Sequence, residues 1–297
     1  MLLIHHHHLL HVLYFDLTLL HLLGALYHEL LVLNHDDDKV YALHSKASTR
    51  TVSYGMHENA TYHAVHPTYL YPTSTKSLKI PEGINFKLQY EGNTFPVNLP
   101  HIVGMHYVGS AIAALAVATE VGCDMLEAIH AVEEYRTPPG RLSLIEGVNS
   151  SVIIDDTYNA SPVATEAALD ALSEMKGKRK IAVLGDMLEL GKFTEEAHRS
   201  IGEKVAGIAD MIIVVGLRAK FIAKGAIDAG FSQKEVYSFD SSKTVAKFLT
   251  GVVEKGDIVL LKGSQGVRLE RAVEAIMAHP EDKYKLLCRQ EKEWQNR

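Results

Sequence analysis

Cysteine is almost missing from this chain. Cys123 and Cys288 are the two among 297 residues, far apart and outside any C-x-x-C pattern. A reducing compartment is therefore the default expectation. Cys123 falls in a helical turn pattern and reads as core rather than nucleophile. A strong excess of either charge is also lacking: the net charge of −6 is mild and argues against a general nucleic-acid binder. No G-x-x-x-x-G-K-[ST] phosphate loop occurs anywhere, and Lys262-Gly263-Ser264 lacks the upstream glycines that such a loop needs. No long internal repeat is visible. What remains is 47% hydrophobic and 22% charged residues. That is the composition of a soluble globular protein able to build a sizeable core, in about two domains at this length.

Residues 1–33 are dominated by Leu and His, with few other polar residues. A membrane anchor is one reading, opposed by the recurring His, by Asp16 in mid-stretch and by the missing basic flank. A signal peptide lacks its basic start and its small-residue cleavage site. His5 to His8 with His11 offer a metal site, His7 and His11 sharing a helix face, without an acid or Cys ligand beside them. A low-complexity lead-in that replaces or misreads an upstream part of the gene fits best.

From about Leu30 the pattern is that of ordinary globular protein. LLVLNHDDDKV predicts a buried strand and an acidic turn. Residues 50–54, 61–65, 86–90 and 94–98 alternate like short strands between Gly, Pro and Asn. Residues 108–120 predict a helix buried on most sides. A second helix runs from Asp124 to Tyr135 behind an acid cap. Thr137-Pro138-Pro139-Gly140 breaks that pattern and marks the best domain boundary.

Beyond it, strands (151–155, 180–185, 211–215, 235–239, 257–261) alternate with helices (162–176, 194–208, 218–229, 241–254, 266–278). That alternation predicts an α/β, doubly wound sheet with right-handed crossovers. Ser161 suits a helix cap and Pro162 the first helical position. In the last helix Leu269, Val273 and Ile276 are expected inward, with Arg268, Glu270, Arg271 and Glu274 outward. After Ala278 the chain turns polar and reads as a terminal helix or frayed tail.

Three strand-end loops are candidates for function, because ligands of open α/β sheets bind at that edge. They are DDTYNASP (Asp155 to Pro162), GDMLELG (Gly185 to Gly191) and KGSQG (Lys262 to Gly266). Backbone N–H groups at a helix start beside Lys262 suit an anion. The acids of the second loop suit an ammonium group; equally, Asp186 ties down its own turn. Arg141, directly after Thr137-Pro138-Pro139-Gly140, suits phosphate oxygens at a hinge.

PGRL, DDTYNASP, VLGDMLELG and LLKGSQGVRLERAVEAI, in that order and spacing, resemble the Mur ligase family, most of all its MurF type. The resemblance covers roughly residues 30–280. It implies a C-terminal doubly wound Rossmann-like domain at 140–297, preceded by a partial central ATP-binding domain at 34–139. It implies an ATP-dependent amide-forming ligase of peptidoglycan precursor synthesis, located in the cytoplasm. The substrates it implies are UDP-N-acetylmuramoyl-tripeptide and D-alanyl-D-alanine, with ATP and Mg²⁺ and without nucleic acid or membrane insertion.

By resemblance, Arg141 meets the ATP phosphates and Asp156 the ribose, while Tyr158 and Asn159 line the site. His106 matches a His-Asn-x-x-Asn segment in which Tyr107 and Ser110 replace the two Asn, so Ser110 stands where an adenine neighbour would be. Asn34, Asp36 and Asp37 match a strand-end Asn-x-Asp-Asp. Asp186, Glu189, Lys262 and Ser264 fall to the amine substrate. The family's phosphate loop, acidic metal ligand and modified Lys all lie upstream of the matched region, so the chain resembles a ligase lacking its N-terminal part. A non-catalytic nucleotide- or dipeptide-binding module is the alternative, as are a MurE-type ligase and a folylpolyglutamate synthase.

Overall fold

The structure, a computed structural model, describes residues 30–72 and 79–295. The expectations for residues 1–29, including the histidine metal site, lie outside the described residues. The chain divides into two compact units. The first holds residues up to Thr68, Asn85–Leu99 and Tyr107–Glu134; the second holds Tyr69–Ile84, Pro100–His106 and Tyr135 onward.

The first unit is built on a five-stranded sheet in the order β1 (Leu30–Asn34), β2 (Arg50–Gly55), β3 (Tyr62–Leu70), β4 (Gly83–Tyr90), β5 (Asn93–Pro100). β1 and β2 are parallel. β3 meets β2 only at Tyr54↔Tyr62 and Gly55↔His63. A short connection therefore suffices where a full parallel crossover would need a dozen residues. Tyr62 is fully buried against Tyr90, ring centroids 4.2 Å apart, and its hydroxyl donates to Glu120 at 3.0 Å.

The acidic turn after β1 is a local device. Asn34 accepts from the Asp36 N–H, Asp37 caps a helical turn at Asp38–Tyr41, and the Asp36 carboxylate accepts from the N–H groups of Met56 and His57. Helix α1 (Tyr107–Glu120) ends at Gly122, φ 96°, with Gly122 N–H on Thr119 O and Cys123 N–H on Ala118 O. That glycine-closed end puts Cys123 outside the helix. Cys123 is exposed, against the core expectation. Asp124 then caps α2 (Met125–Glu133), accepting from Leu126 and Glu127 N–H.

The second unit has a six-stranded sheet in the order β10-β9-β8-β11-β7-β6. In chain order it runs β6 (Ser143–Gly147), β7 (Ser151–Asp156), α3 (Pro162–Glu174), β8 (Lys180–Gly185), α4 (Thr194–Ala206) and β9 (Met211–Val215). It continues with α5 (Lys220–Asp228), β10 (Val236–Phe239), α6 (Ser242–Val252), β11 (Ile258–Lys262) and α7 (Glu270–Ile276). All pairings are parallel except β6 with β7. The antiparallel edge strand β6 was not expected from the sequence.

Every residue of β9 and β11 is buried, because helices cover both faces. One face joins Ile153, Ile181, Val183, Ile213, Val259 and Leu261 to α6 and α7 through Val245, Leu249, Leu269, Val273 and Ile276. Alternate residues Ile154, Ala182, Leu184, Ile212, Val214 and Leu260 are buried on the other face. Since β11 returns between β7 and β8, the loops after β7 and β8 lead away from the loop after β11. That divergence is a topological switch point, where α/β sheets bind ligands.

Two expectations for the C-terminal region are corrected. The last helix begins at Glu270, not at 266. Residues Gln265–Val267 form one 3-10 turn, and Arg268 is left-handed at φ 61°. Arg268 and Glu270, expected outward, are 9% and 1% exposed, because Arg268 Nε donates to Glu270 at 2.5 Å inside the domain. The segment after Ala278 is not a frayed tail either: Leu287, Cys288 and Arg289 are buried.

Helices α4 and α5 cross on two glycines. A Cβ at Gly202 would lie 2.2 Å from Ile222 O, and one at Gly225 would lie 2.3 Å from Arg199 O. Gly202→Ala must push two backbones apart. We expect it to cost about 1–3 kcal/mol, read as a lower urea midpoint at unchanged slope.

Candidate functional site

The site is assembled at the carboxyl edge of β7, β8 and β11. Register sets its first contact: Lys262, last in β11, lies beside Asp156, last in β7. Lys262 is 3% exposed. Its ammonium meets Asp156 Oδ2 at 2.5 Å and Asn159 O at 3.0 Å. Asp156 Oδ1 accepts from Leu142 N–H at 3.3 Å, and Tyr158 N–H donates to Gly140 O at 3.0 Å. Gly140 is needed there: it sits at φ 75°, and a Cβ would lie 3.0 Å from Tyr158 N and 3.1 Å from Cys288 Sγ.

The Gly140-Arg141-Leu142 turn is thereby docked on the turn after β7. Arg141 Cζ lies 4.3 Å from the centroid of the Tyr158 ring, which is 42% exposed. His106 folds onto the same region: a Cβ at Gly104 would be 2.6 Å from His106 Cε1 and 2.7 Å from Leu142 Cδ1. Ser110 is exposed in the first turn of α1, in the other compact unit.

The two acids of DDTYNASP part company, because adjacent strand residues face opposite ways. Asp155 is fully buried. Its Oδ1 accepts from Thr157 N–H at 3.2 Å and Oγ1–H at 2.7 Å, and Oδ2 has no partner. Burial, with the charges of Asp156 and Glu270 behind it, pushes the Asp155 carboxyl up to about 7 against the Thr157 bonds. Burial first, then the Asp155 charge, also pushes the neighbouring Cys288 thiol up to about 11. That cysteine is an inert neighbour, not a nucleophile.

The second loop is tied from behind. Asp186 is 7% exposed; Oδ1 accepts from Ala219 N–H at 2.7 Å and Oδ2 lies 3.5 Å from Arg218 Nη1. Its carboxylate sits over Gly216, where a Cβ would be 2.5 Å away. The side-chain partners of Asp186 lie in the neighbouring loop after β9 rather than in its own turn. His198 is fully buried. Its Nδ1–H donates to Thr194 O at 2.6 Å, and Nε2 accepts from Met187 N–H at 3.0 Å. Burial lowers its pKa, which fits this neutral tautomer. Ser264 Oγ accepts from Leu188 N–H at 2.9 Å and donates to Ala160 O at 3.4 Å, linking all three loops. Glu189 is exposed at φ 66°.

Lys262 therefore stands with Asp156 rather than with Asp186 and Glu189. The α-helix expected directly after it begins further on, at Glu270, and a 3-10 turn at Gln265–Val267 stands in its place. Sequence reasoning missed Arg289, whose guanidinium reaches the Tyr158 turn from the C-terminal segment, and Arg218 beside Asp186. Neither sits in a motif that could have revealed it.

The family described as "Mur ligase, glutamate ligase domain" matches residues 140–265. Residues 140–265 belong to the Mur ligase family. The Bacillus subtilis UDP-N-acetylmuramoyl-tripeptide–D-alanyl-D-alanine ligase is 32% identical over 201 residues, 67% of this chain and 43% of that protein. The Escherichia coli enzyme of the same name is 33% identical over 208 residues, 69% of this chain and 44% of that protein. A crystal structure of MurF from Acinetobacter baumannii superposes with a TM-score of 0.70 at 26% identity, over 84% of this chain and 51% of that one. MurF from Thermotoga maritima in complex with ADP gives 0.67 at 26%, over 86% and 55%. The chain thus spans less than half the length of these curated relatives. The Mur ligase fold agrees with the α/β, Rossmann-like expectation.

Two tests follow from the geometry. Asp155 is held protonated well above the ordinary carboxylate range, so the native state binds the extra proton between about pH 4 and 7. Stability must then fall as pH rises through that window and level off above it. Asp155→Asn should flatten this decline in melting temperature between pH 5 and 8; an unchanged slope would refute the assignment. Lys262→Met leaves Asp156 buried without its cation. Chemical denaturation should show a loss of about 3–5 kcal/mol.

Proposed function

We propose that this chain supplies one wall of the nucleotide site and the amine-substrate domain of an ATP-dependent ligase. That ligase joins D-alanyl-D-alanine to UDP-N-acetylmuramoyl-tripeptide during peptidoglycan precursor synthesis in the cytoplasm. The observation that carries this reading is the docked pair of turns: Arg141 over Tyr158, with Asp156 holding Leu142 N–H beneath them. A guanidinium on an exposed aromatic ring suits phosphate oxygens, and the Asp156 carboxylate keeps lone pairs for ribose hydroxyls.

In such a reaction the γ-phosphoryl group of ATP passes to the peptide carboxylate and ADP departs. The amine nitrogen then attacks the acyl carbon and phosphate leaves. The part of this chain is to position: Arg141, Asp156, Tyr158, Asn159 and His106 toward the nucleotide, and the loop of Asp186 and Glu189, tied down by Ser264, toward the amine. Lys262 acts from beneath, by fixing Asp156.

Mg²⁺ would neutralise phosphate charge in this chemistry. Among the described residues no three His, Cys, Asp or Glu side chains group to hold such an ion. Among the same residues no helix is long and apolar enough to cross a membrane.

The alternative, a binding module without catalysis, is separated by calorimetry with ADP and with D-alanyl-D-alanine. Binding of both, with Arg141→Ala weakening ADP by about tenfold and leaving the dipeptide unchanged, supports the ligase reading. Dipeptide binding without nucleotide binding favours the module. Since no phosphate loop occurs in the sequence, we expect no dipeptide-dependent ADP release from the 297-residue polypeptide alone.

A further inference from the structure

The C-terminal segment carries a second guanidinium to the Tyr158 turn. Arg289 is 6% exposed, and its backbone is left-handed at φ 58°. Its Nη1 donates to Thr157 O at 3.1 Å, and its Nη2 donates to Tyr158 O. Its Cζ lies 5.2 Å from the Tyr158 ring centroid, the ring that also carries Arg141 at 4.3 Å. Behind it, Nη1 lies 3.6 Å from Glu270 Oε2, and Glu270 Oε1 takes the Arg268 Nε–H. Arg268 in turn donates from Nη1 to Trp294 O at 2.8 Å, and both arginines lie over the Trp294 ring, at 5.3 and 5.6 Å.

The turn that presents Tyr158 and Asn159 has few ties of its own. Tyr158 N–H goes to Gly140 O and Asn159 O goes to Lys262. The carbonyls of Thr157 and Tyr158 are both held by one side chain from 131 or 132 residues later. An arginine fork suits this task, since its donors are planar and rigidly spaced.

We propose that Arg289 is a positioning residue for the nucleotide. It fixes the carbonyls of Thr157 and Tyr158, and with them the ring on which Arg141 rests, and it connects that ring to Trp294. This rests on the reading that Arg141, Asp156 and Tyr158 face ADP or ATP. Any shift of the Tyr158 turn on nucleotide binding is then transmitted through Arg289 to Trp294. Trp294 is the chain's single tryptophan and so a built-in reporter.

The test is a titration of the full chain with ADP, followed by calorimetry and by tryptophan emission excited at the red edge of absorption. In the unsubstituted chain, emission should change along the same isotherm as the heat. Arg289→Asn removes the guanidinium while keeping a residue that tolerates a left-handed backbone. It should weaken ADP by about tenfold and abolish the emission change. Arg289→Lys, with one point donor in place of a fork, should lie between the two. D-alanyl-D-alanine affinity should stay within about twofold in both variants, since the backbone carbonyls that each variant releases belong to the Tyr158 turn. A merely structural role would weaken both ligands together.

Unchanged ADP affinity in Arg289→Asn, or silent emission at saturating ADP, overturns the proposal and leaves the nucleotide reading standing. Failure of the unsubstituted chain to bind ADP by calorimetry overturns the nucleotide reading, and this proposal with it.

Discussion

A buried ammonium–carboxylate contact between the ends of two adjacent strands sets the geometry of the whole carboxyl edge. Lys262 and Asp156 are paired by strand register before any loop is considered. A charge so enclosed is tolerable only if its partner and its remaining hydrogen-bond sites are supplied. Asn159 O takes another Lys262 proton, and Leu142 N–H satisfies the other carboxylate oxygen. Each requirement pins a loop: the first fixes the turn after β7, the second fixes the turn that carries Arg141. The candidate side chains Arg141, Tyr158 and Asn159 are thus placed by the need to satisfy one desolvated pair.

The same logic governs the neighbouring loop with different groups. Asp186 uses its carboxylate on Ala219 N–H and approaches Arg218, over a glycine with no Cβ in the way. A neutral His198 bridges Met187 N–H to Thr194 O. Ser264 joins this loop to the turn after β7. Loops at a switch point leave in diverging directions, so side-chain bonds must do what backbone ladders do within the sheet.

Much of the fold was legible because local signals and long-range packing agreed. The apolar β9, the apolar run Ile258–Leu261 of β11, the cap at Ser161 with Pro162 behind it, and the acid cap at Asp124 all act where they are expected. The misreadings have physical causes. Helical periodicity ran through residues 266–278, yet Arg268 adopts a left-handed turn to bury its guanidinium on Glu270. Residues two apart face different ways on a helix, so helical spacing hides the Arg268–Glu270 pair that the left-handed turn makes possible. Gly122 ejects Cys123 from a helix that composition alone would extend. In the candidate site, Arg141 and Tyr158 are adjacent by turn-on-turn docking and Lys262 meets Asp156 by register, so one-dimensional motifs could name these residues without showing which touch. Asp155 and Asp156 are neighbours in sequence and face opposite sides of the sheet.

The segment after α7 begins at the opposite end of the sheet from where it finishes. Met277 bridges Gly147, at the amino end of β7, and Ala278 N–H donates to Glu146 O on β6. Arg289 arrives at the carboxyl end, beneath Tyr158. One stretch of chain therefore caps the Glu146–Gly147 end of the outer strand, where a sheet edge could pair with another molecule, and braces the turn that presents Tyr158. Peeling that stretch away would bare that strand end and slacken the Tyr158 turn in a single event, so self-association through the edge and loss of order at the turn should accompany one another in this domain.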